Sequence, residues 1–193
     1  MSCFPASLAT KLGKKYVFKT LDWFLSSPQR FLFHIEEDNK VIGYCGGFIP
    51  SKPGDGSSSG MLQHAFNEAV KGLILKPWLL FHNEVVPHYP FIWRNIKRKL
   101  TGRITPAQTA TKKTVPFKQY VGLVVIGVLP SKRGTGVAQQ LMAEFENKSR
   151  QLNHNELVLS VKKDNNRAIK AYNNYGWNIR EEHQNTYVLQ KTI

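Results

Sequence analysis

A mixed α/β (α+β) fold is predicted by three observations. Segments with strand alternation and segments with helical spacing follow one another as helix, hairpin, then β-α-β-α-β-β. A β-branched apolar run passes through a glycine-rich turn into a helical pattern at residues 124–142. With 193 residues, 41% hydrophobic and 21% charged, the chain has a globular composition and enough length for one domain, 1–193, with a sizeable core.

Taken in order, residues 6–26 carry Leu8, Leu12 and Tyr16 four apart, then Leu21, Phe24 and Leu25. This predicts helix, broken at Gly13 and closed by Pro28. Residues 30–36 put Phe31, Phe33 and Ile35 on one strand face. A polar turn at 37–40 leads into the second arm of a hairpin, Val41 to Ile49. Gly43, Gly46 and Gly47 there predict a bulge or close backbone contact. Residues 50–60 read as a flexible loop. The stripe Leu62, Ala65, Phe66, Ala69, Leu73 predicts one amphipathic helix to about Leu75. A second helix, about Phe91 to Leu100, shows Arg94, Lys97, Arg98 and Lys99 on its polar face. Residues 101–116 read as a loop. Strand returns from Phe117 through Tyr120 to Leu129, and the helix after the turn runs to about Leu152. Glu156 to Val161 is the next strand. Asn165 to Tyr175 is a helix closed by Gly176 as its left-handed residue. Trp177 to Arg180 and Thr186 to Lys191 pair last.

The chemistry is densest at 124–142. Pro130 ends the strand, since it has no N–H to give a ladder. Lys132, Arg133, Gly134, Thr135 and Gly136 form the turn, and Val137, Ala138, Leu141, Met142 and Phe145 begin the helix. Orphan N–H groups and the dipole make a helix N-terminus attractive to anions, and glycines let a phosphate approach the backbone. A tight connection is the plain alternative. The turn is not a Walker A loop, because no Gly-Lys-Ser/Thr follows. It is a poor dinucleotide fingerprint, with Gln139 at the third glycine position. What it does hold is Arg-x-x-Gly-x-Ala (Arg133, Gly136, Ala138) preceded by Val-x-Pro (Val128, Pro130).

Residues 165–177 add Asn-x-x-Ala-Ile-x-x-Tyr-x-x-x-Gly-aromatic, from Asn165 to Trp177. In this order, with one strand between them, the two motifs resemble the acetyl-CoA site of the GNAT superfamily of N-acyltransferases. The likeness covers residues 30–49 and 117–191 and leaves 50–116 outside it. It implies a twisted, mixed, mostly antiparallel sheet with helices on both faces. It also implies a helical insertion between the third and fourth family strands. Helical sequence begins within ten residues of Met1, so the family's first edge strand is either missing or cut off by a truncated start. An exposed sheet edge would favour a homodimer or instability.

The resemblance assigns roles residue by residue. Backbone groups of Ile126 and Val128 would pair with pantetheine amides. The N–H groups from Arg133 through Gly134, Thr135, Gly136 and Val137 to Ala138 would hold the pyrophosphate, with Lys132 adding charge. Asn165 would bond the pantetheine arm, or serve only as a helix cap. Tyr172 matches the general acid, since a phenol of pKa about 10 stays protonated at neutral pH. The alternative for Tyr172 is a core residue beside Ala168 and Ile169. No general base stands out: Glu84, His82, His88, His34 and Glu36 are the candidates.

Charge and cysteines bound the partners. The 27 Lys and Arg exceed the 13 Asp and Glu, and residues 61–120 hold 10 basic against 2 acidic. The basic excess in that third predicts an anionic acceptor at the insertion 50–116, or simply a solvated face. Acetyl-CoA is the expected co-substrate, passing its acetyl group to an amine that is small and anionic, or in a second reading to a protein or peptide amine. A nucleic-acid-binding or non-catalytic CoA-ester-binding module is the different-class alternative. The basic strand or recognition helix of a nucleic-acid binder is lacking. Cys3 and Cys45 form no metal-binding spacing, so no metal is expected. Isolated thiols and an N-terminus without the pattern of a signal peptide fit the cytoplasm. No apolar run approaches the length of about 20 residues that spans a bilayer, so no membrane partner is expected.

Overall fold

The computed structural model describes residues 3–4, 7–51, 55, 57–82, 84–86, 89–90, 92–94, 97 and 119–193. Helices α1 (Leu8–Leu12) and α2 (Lys14–Leu25) meet at Gly13, whose φ of 116° ends one helix and begins the next. The hairpin β1 (Arg30–Glu37) and β2 (Lys40–Phe48) follows. Next come α3 (Ser57–His64), α4 (Phe66–Leu75) and a 3-10 turn, Pro77–Phe81. The remainder is β3 (Val121–Val128), α5 (Val137–Gln151), β4 (Glu156–Lys162), α6 (Asn166–Asn174), β5 (Asn178–Glu182) and β6 (Thr186–Thr192).

The six strands form one sheet in the order β1-β2-β3-β4-β6-β5. Every neighbouring pair is antiparallel except β3 with β4. On one face α5 buries Val137, Leu141, Met142 and Phe145 against Cys45, Val121, Leu123, Leu157 and Leu189, and α6 packs onto the same cluster through Ala168, Ile169 and Tyr172. On the other face α2 seats Trp23 and Phe24 against Phe48, Leu32, Val124 and Val125. The glycines of β2 make this approach feasible. A Cβ on Gly46 would lie 2.6 Å from the Phe24 ring, and one on Gly47 2.7 Å from that of Phe145.

Met61 of the insertion reaches the cluster on the α2 face of the sheet, but the insertion's own core lies elsewhere. Leu73, Leu79 and Val85 form their own cluster with Leu8, Leu12 and Ile92, so it packs on the helical layer. Two sequence expectations change here. Helix begins at Ser57, inside the stretch read as loop, and the single helix to Leu75 is two, parted at Ala65 (φ −92°, ψ 5°). Serine and glycine give this stretch little intrinsic helix preference, but packing decides. Gly60 lies against Trp23, and Met61 joins the α2 cluster. The strand expected from Phe117 starts at Val121, with Tyr120 outside it; residues 117–118 lie outside the described residues. Of the second insertion helix only Ile92–Arg94 and Lys97 are described, and these are helical. Arg98, Lys99 and the loop 101–116 lie outside the described residues.

Candidate active site

The sheet opens at β3. Its parallel pairing with β4 stops at Leu123↔Leu159, although β3 continues to Val128 and β4 to Lys162. The cause is local. Gly46 pairs with Val125 and Gly47 with Leu123, so Val124 is an extra residue in β3, a bulge that bends the strand away. The bulge also shifts the side-chain alternation. Val121 and Leu123 face the α5 cluster, Val124 and Val125 both face α2, and Ile126 and Val128 return to the α5 side.

Backbone direction follows from one hydrogen bond. The Leu129 N–H donates to the Ile42 carbonyl at 2.9 Å. Since successive residues of a strand turn their N–H and C=O to opposite edges, Gly127 also faces β2, while Ile126 and Val128 face the open side. The two residues singled out from the sequence are thus the ones that present backbone groups to the cleft between β3 and β4.

The turn after β3 is a helix N-terminus held by glycines. Gly134 has φ 82°, and Gly136, the N-cap of α5, has φ 87° and ψ −11°. Among the described residues, no atom beyond the chain neighbours lies within 4 Å of where a Cβ would stand on either. The cradle in front of the first turn is therefore open, and the N–H groups entering α5 at Val137 and Ala138 meet it without side-chain cover. The residues present thus fit a pyrophosphate. The basic side chains of the turn have partners of their own. Lys132 is ion-paired with Glu37. The Arg133 guanidinium donates to the Cys3 carbonyl at 2.9 Å, tying the turn to the N-terminal segment. Thr135 Oγ1 donates to the Lys132 carbonyl at 2.8 Å and closes the turn.

Across the cleft, Asn165 caps α6: its Oδ1 accepts from the Ala168 N–H at 3.3 Å. Of the two sequence readings, the cap is the one the geometry contains. Tyr172, one helical face further, is packed into the core beside Trp177, ring centroids 6.1 Å apart. Burial, then the neighbouring Cys45 thiol, pushes its phenol up to about 12. Cys45 lies opposite Ile126 in the β2–β3 register, and Tyr172 packs against the cluster that holds them both.

The base candidates are scattered. Glu36 and His34 pair with each other at 2.9 Å on the edge strand β1, which β2 separates from β3. His82 lies 3.2 Å from Lys11 Nζ in the helical layer. Glu84 accepts from Lys162 at 2.5 Å, at the end of β4, and this hydrogen bond holds its carboxyl below the usual carboxylate range. It borders the apolar space between α1, α2 and the insertion, and its lowered pKa makes it a weaker base. His88 lies outside the described residues.

The sequence reading missed a second chamber. A cavity of about 240 Å³ lies between α1–α2 and the β3 bulge, bordered by Ser7, Thr10, Tyr16, Thr20, Tyr44 and the paired Val124 and Val125. Its signal was present in part, because the glycine pair Gly46–Gly47 marks the bulge. No periodicity brings residues 7–20 to the same place.

A search of curated protein sequences returns no match. Among solved structures, the chain is similar to PaiA N-acetyltransferase from Thermoplasma acidophilum in complex with coenzyme A, at 10% identity and a TM-score of 0.52, covering 92% of this chain and 69% of that one. It is similar to a proposed streptothricin acetyltransferase from Bacillus anthracis in complex with acetyl coenzyme A, at 12% identity and a TM-score of 0.50, covering 89% and 67%. It is also similar to Naa20 from Chaetomium thermophilum in complex with a bisubstrate analogue, at 15% identity and a TM-score of 0.49, covering 90% and 70%. At these identities the first two likenesses speak for the fold. The family model of the acetyltransferase (GNAT) family matches residues 2–177. With the bulged, splayed β3 and the glycine cradle at α5, the chain belongs to the GNAT acetyltransferases and is an acetyl-CoA-dependent N-acetyltransferase.

Proposed function

We propose that the acceptor is a small amine that enters the cavity between α1–α2 and the β3 bulge. There it meets the thioester beside Ile126. The observation that carries this reading is that the cavity touches β3 at Val124 and Val125, where β3 parts from β4. A donor held along the open edge and an acceptor held in the cavity would then approach one strand from its two faces. In this reading the N–H groups around Gly136 hold the pyrophosphate, and Ile126 and Val128 pair with the pantetheine arm as an added strand.

The chain's own groups divide the transfer. An N–H at the open edge, that of Ile126 foremost, donates to the carbonyl oxygen as it gains charge. The amine nitrogen bonds to the carbonyl carbon, the C–S bond breaks, and sulfur carries the electron pair away. Tyr172 donates a hydrogen bond to that sulfur. With its pKa at about 12, the phenol is a weaker acid than a thiol of pKa about 8.5. It therefore stabilises the thiolate by hydrogen bonding more than by full proton transfer. The excess proton of the amine leaves to solvent or to the Glu84 carboxylate.

The lining sets the acceptor's character. Tyr44 is pushed up to about 12 by burial and by the Cys3 thiol, and Tyr16 and Cys3 are raised mainly by burial. All three are neutral at pH 7, and among the described residues the lining includes no Lys, Arg, Asp or Glu, with the Arg133 guanidinium just outside it on the Cys3 carbonyl. A neutral acceptor body fits this chamber. An anionic acceptor would owe its attraction to the basic insertion outside it. The test is thermal melting with acetyl-CoA, longer acyl-CoAs and a panel of neutral and anionic amines, followed by kinetics on those that act. Acetyl-CoA should raise the melting temperature, and neutral amines should show the higher kcat/KM. No shift with any acyl-CoA would overturn the donor site, and exclusive use of anionic amines would overturn the neutral chamber.

A further inference from the structure

The insertion carries an outer face that the transfer reaction does not use. On α4, Phe66, Ala69 and Leu73 point inward, while Ile74 and Leu75 are 72% and 77% exposed. One residue later the 3-10 turn buries Leu79 and leaves Trp78 65% and Phe81 83% exposed. At three residues per turn, Trp78 and Phe81 stand one above the other. Ile92 packs under this turn with Leu79, and its neighbour Trp93 is 70% exposed. Large apolar side chains in such density on one outer face mark a contact surface.

The insertion's charge has one sign: residues 61–120 hold ten Lys and Arg against two acidic residues, and Lys76, Arg94 and Lys97 lie within or beside this apolar stretch. The two carboxylates of residues 61–120, Glu68 and Glu84, are paired with Lys71 and Lys162. We propose that this face of the insertion, Ile74 to Phe81 with Trp93 and Arg94, seats the protein on an anionic lipid surface. Trp and Phe enter the headgroup boundary while the surrounding cations meet the phosphates. Exposed aliphatics distinguish this occupant from nucleic acid: aromatic rings stack on bases, but Ile74 and Leu75 gain only from an acyl layer. The contact is with a surface and not a crossing, because no described helix is long and apolar enough to span a bilayer.

The experiment uses the full chain. It is sedimented with vesicles of phosphatidylcholine, with and without phosphatidylglycerol, and its tryptophan emission is recorded. Phosphatidylglycerol vesicles should carry the protein down and shift the emission to the blue, less so at high salt. The Trp78→Ser/Phe81→Ser variant should bind them roughly a hundredfold more weakly while keeping the melting shift with acetyl-CoA. That shift shows the variant is folded, and it is read separately, so failure of vesicle binding leaves the donor site standing. A chain that stays in the supernatant overturns the proposal, as does a double variant that sediments like the parent. Binding of a single-stranded oligonucleotide through Trp78 and Phe81 with no vesicle binding would assign the face to nucleic acid instead. Self-association abolished by the same substitutions, again without vesicle binding, would assign it to a second copy.

Discussion

At the residue scale, substitutions at Tyr172 and Gly136 test the proposed chemistry and the proposed binding separately. Tyr172 is held in the core by Trp177 and the α5–α6 cluster, so removing its hydroxyl leaves the ring packing in place. Tyr172→Phe should lower kcat by about 10²-fold and leave the melting shift with acetyl-CoA nearly unchanged. Full kcat in that variant would remove Tyr172 from the reaction. Gly136 sits at φ 87° with open space before it. An alanine there is strained by about 1 kcal/mol and puts a methyl group into the cradle. Gly136→Ala should melt a few degrees lower and bind acetyl-CoA at least about tenfold more weakly, measured by calorimetry. Unchanged affinity would show that the pyrophosphate lies elsewhere. Both residues were legible in the sequence, because spacing fixes which residues follow a strand or share a helix face. The pairing of Lys132 with Glu37 and of Arg133 with the Cys3 carbonyl was not. Those partners lie far off along the chain and meet only through folding.

At the element scale, the decisive piece is the β2–β3 pair. Gly46 and Gly47 let α2 and α5 press on the sheet from its two faces, and opposite them Val124 bulges. Gly46→Ala would put a methyl group 2.6 Å from the Phe24 ring, an overpacking worth about 1–3 kcal/mol. Urea unfolding should show that loss together with a weaker acetyl-CoA response, since the same strand pair orients Ile126. A variant as stable as the parent would mean that Phe24 moves aside freely. The glycines were readable as a bulge or close contact. Which strand carries the extra residue, and so which way Ile126 faces, depends on register, and register is a property of two strands. The break at Ala65 has the same origin: Leu62 to Leu73 keep one helical period, while packing against α2 divides the helix.

At the scale of the whole molecule, buried phenols and thiols set the alkaline limit. Tyr44 and Tyr172 are pushed up to about 12 by burial, and burial also raises Tyr16, Tyr120 and Cys45. Each such group is neutral in the folded chain at a pH where the unfolded chain has begun to ionise, near 10 for tyrosine and 9 for cysteine. Their contribution to stability is complete below pH 9 and drains away as the pH rises from there towards 12. The urea midpoint should therefore fall over that window, while tyrosinate absorbance of the folded protein appears only late. A flat midpoint to pH 11 would contradict the buried environments.

The sequence by itself determined most of the elements, the glycine turn that opens α5 and the two motifs that match one donor. Each element, turn or motif is carried by residues within about twenty positions of one another, where backbone sterics and helical or strand period govern. Only the tertiary structure decided that β3 leaves β4 at Leu123, that a cavity opens against the bulge, and that the insertion leaves Trp78, Phe81 and Trp93 exposed. These features arise where segments distant in sequence compete to bury apolar surface, and no local pattern records which of them wins.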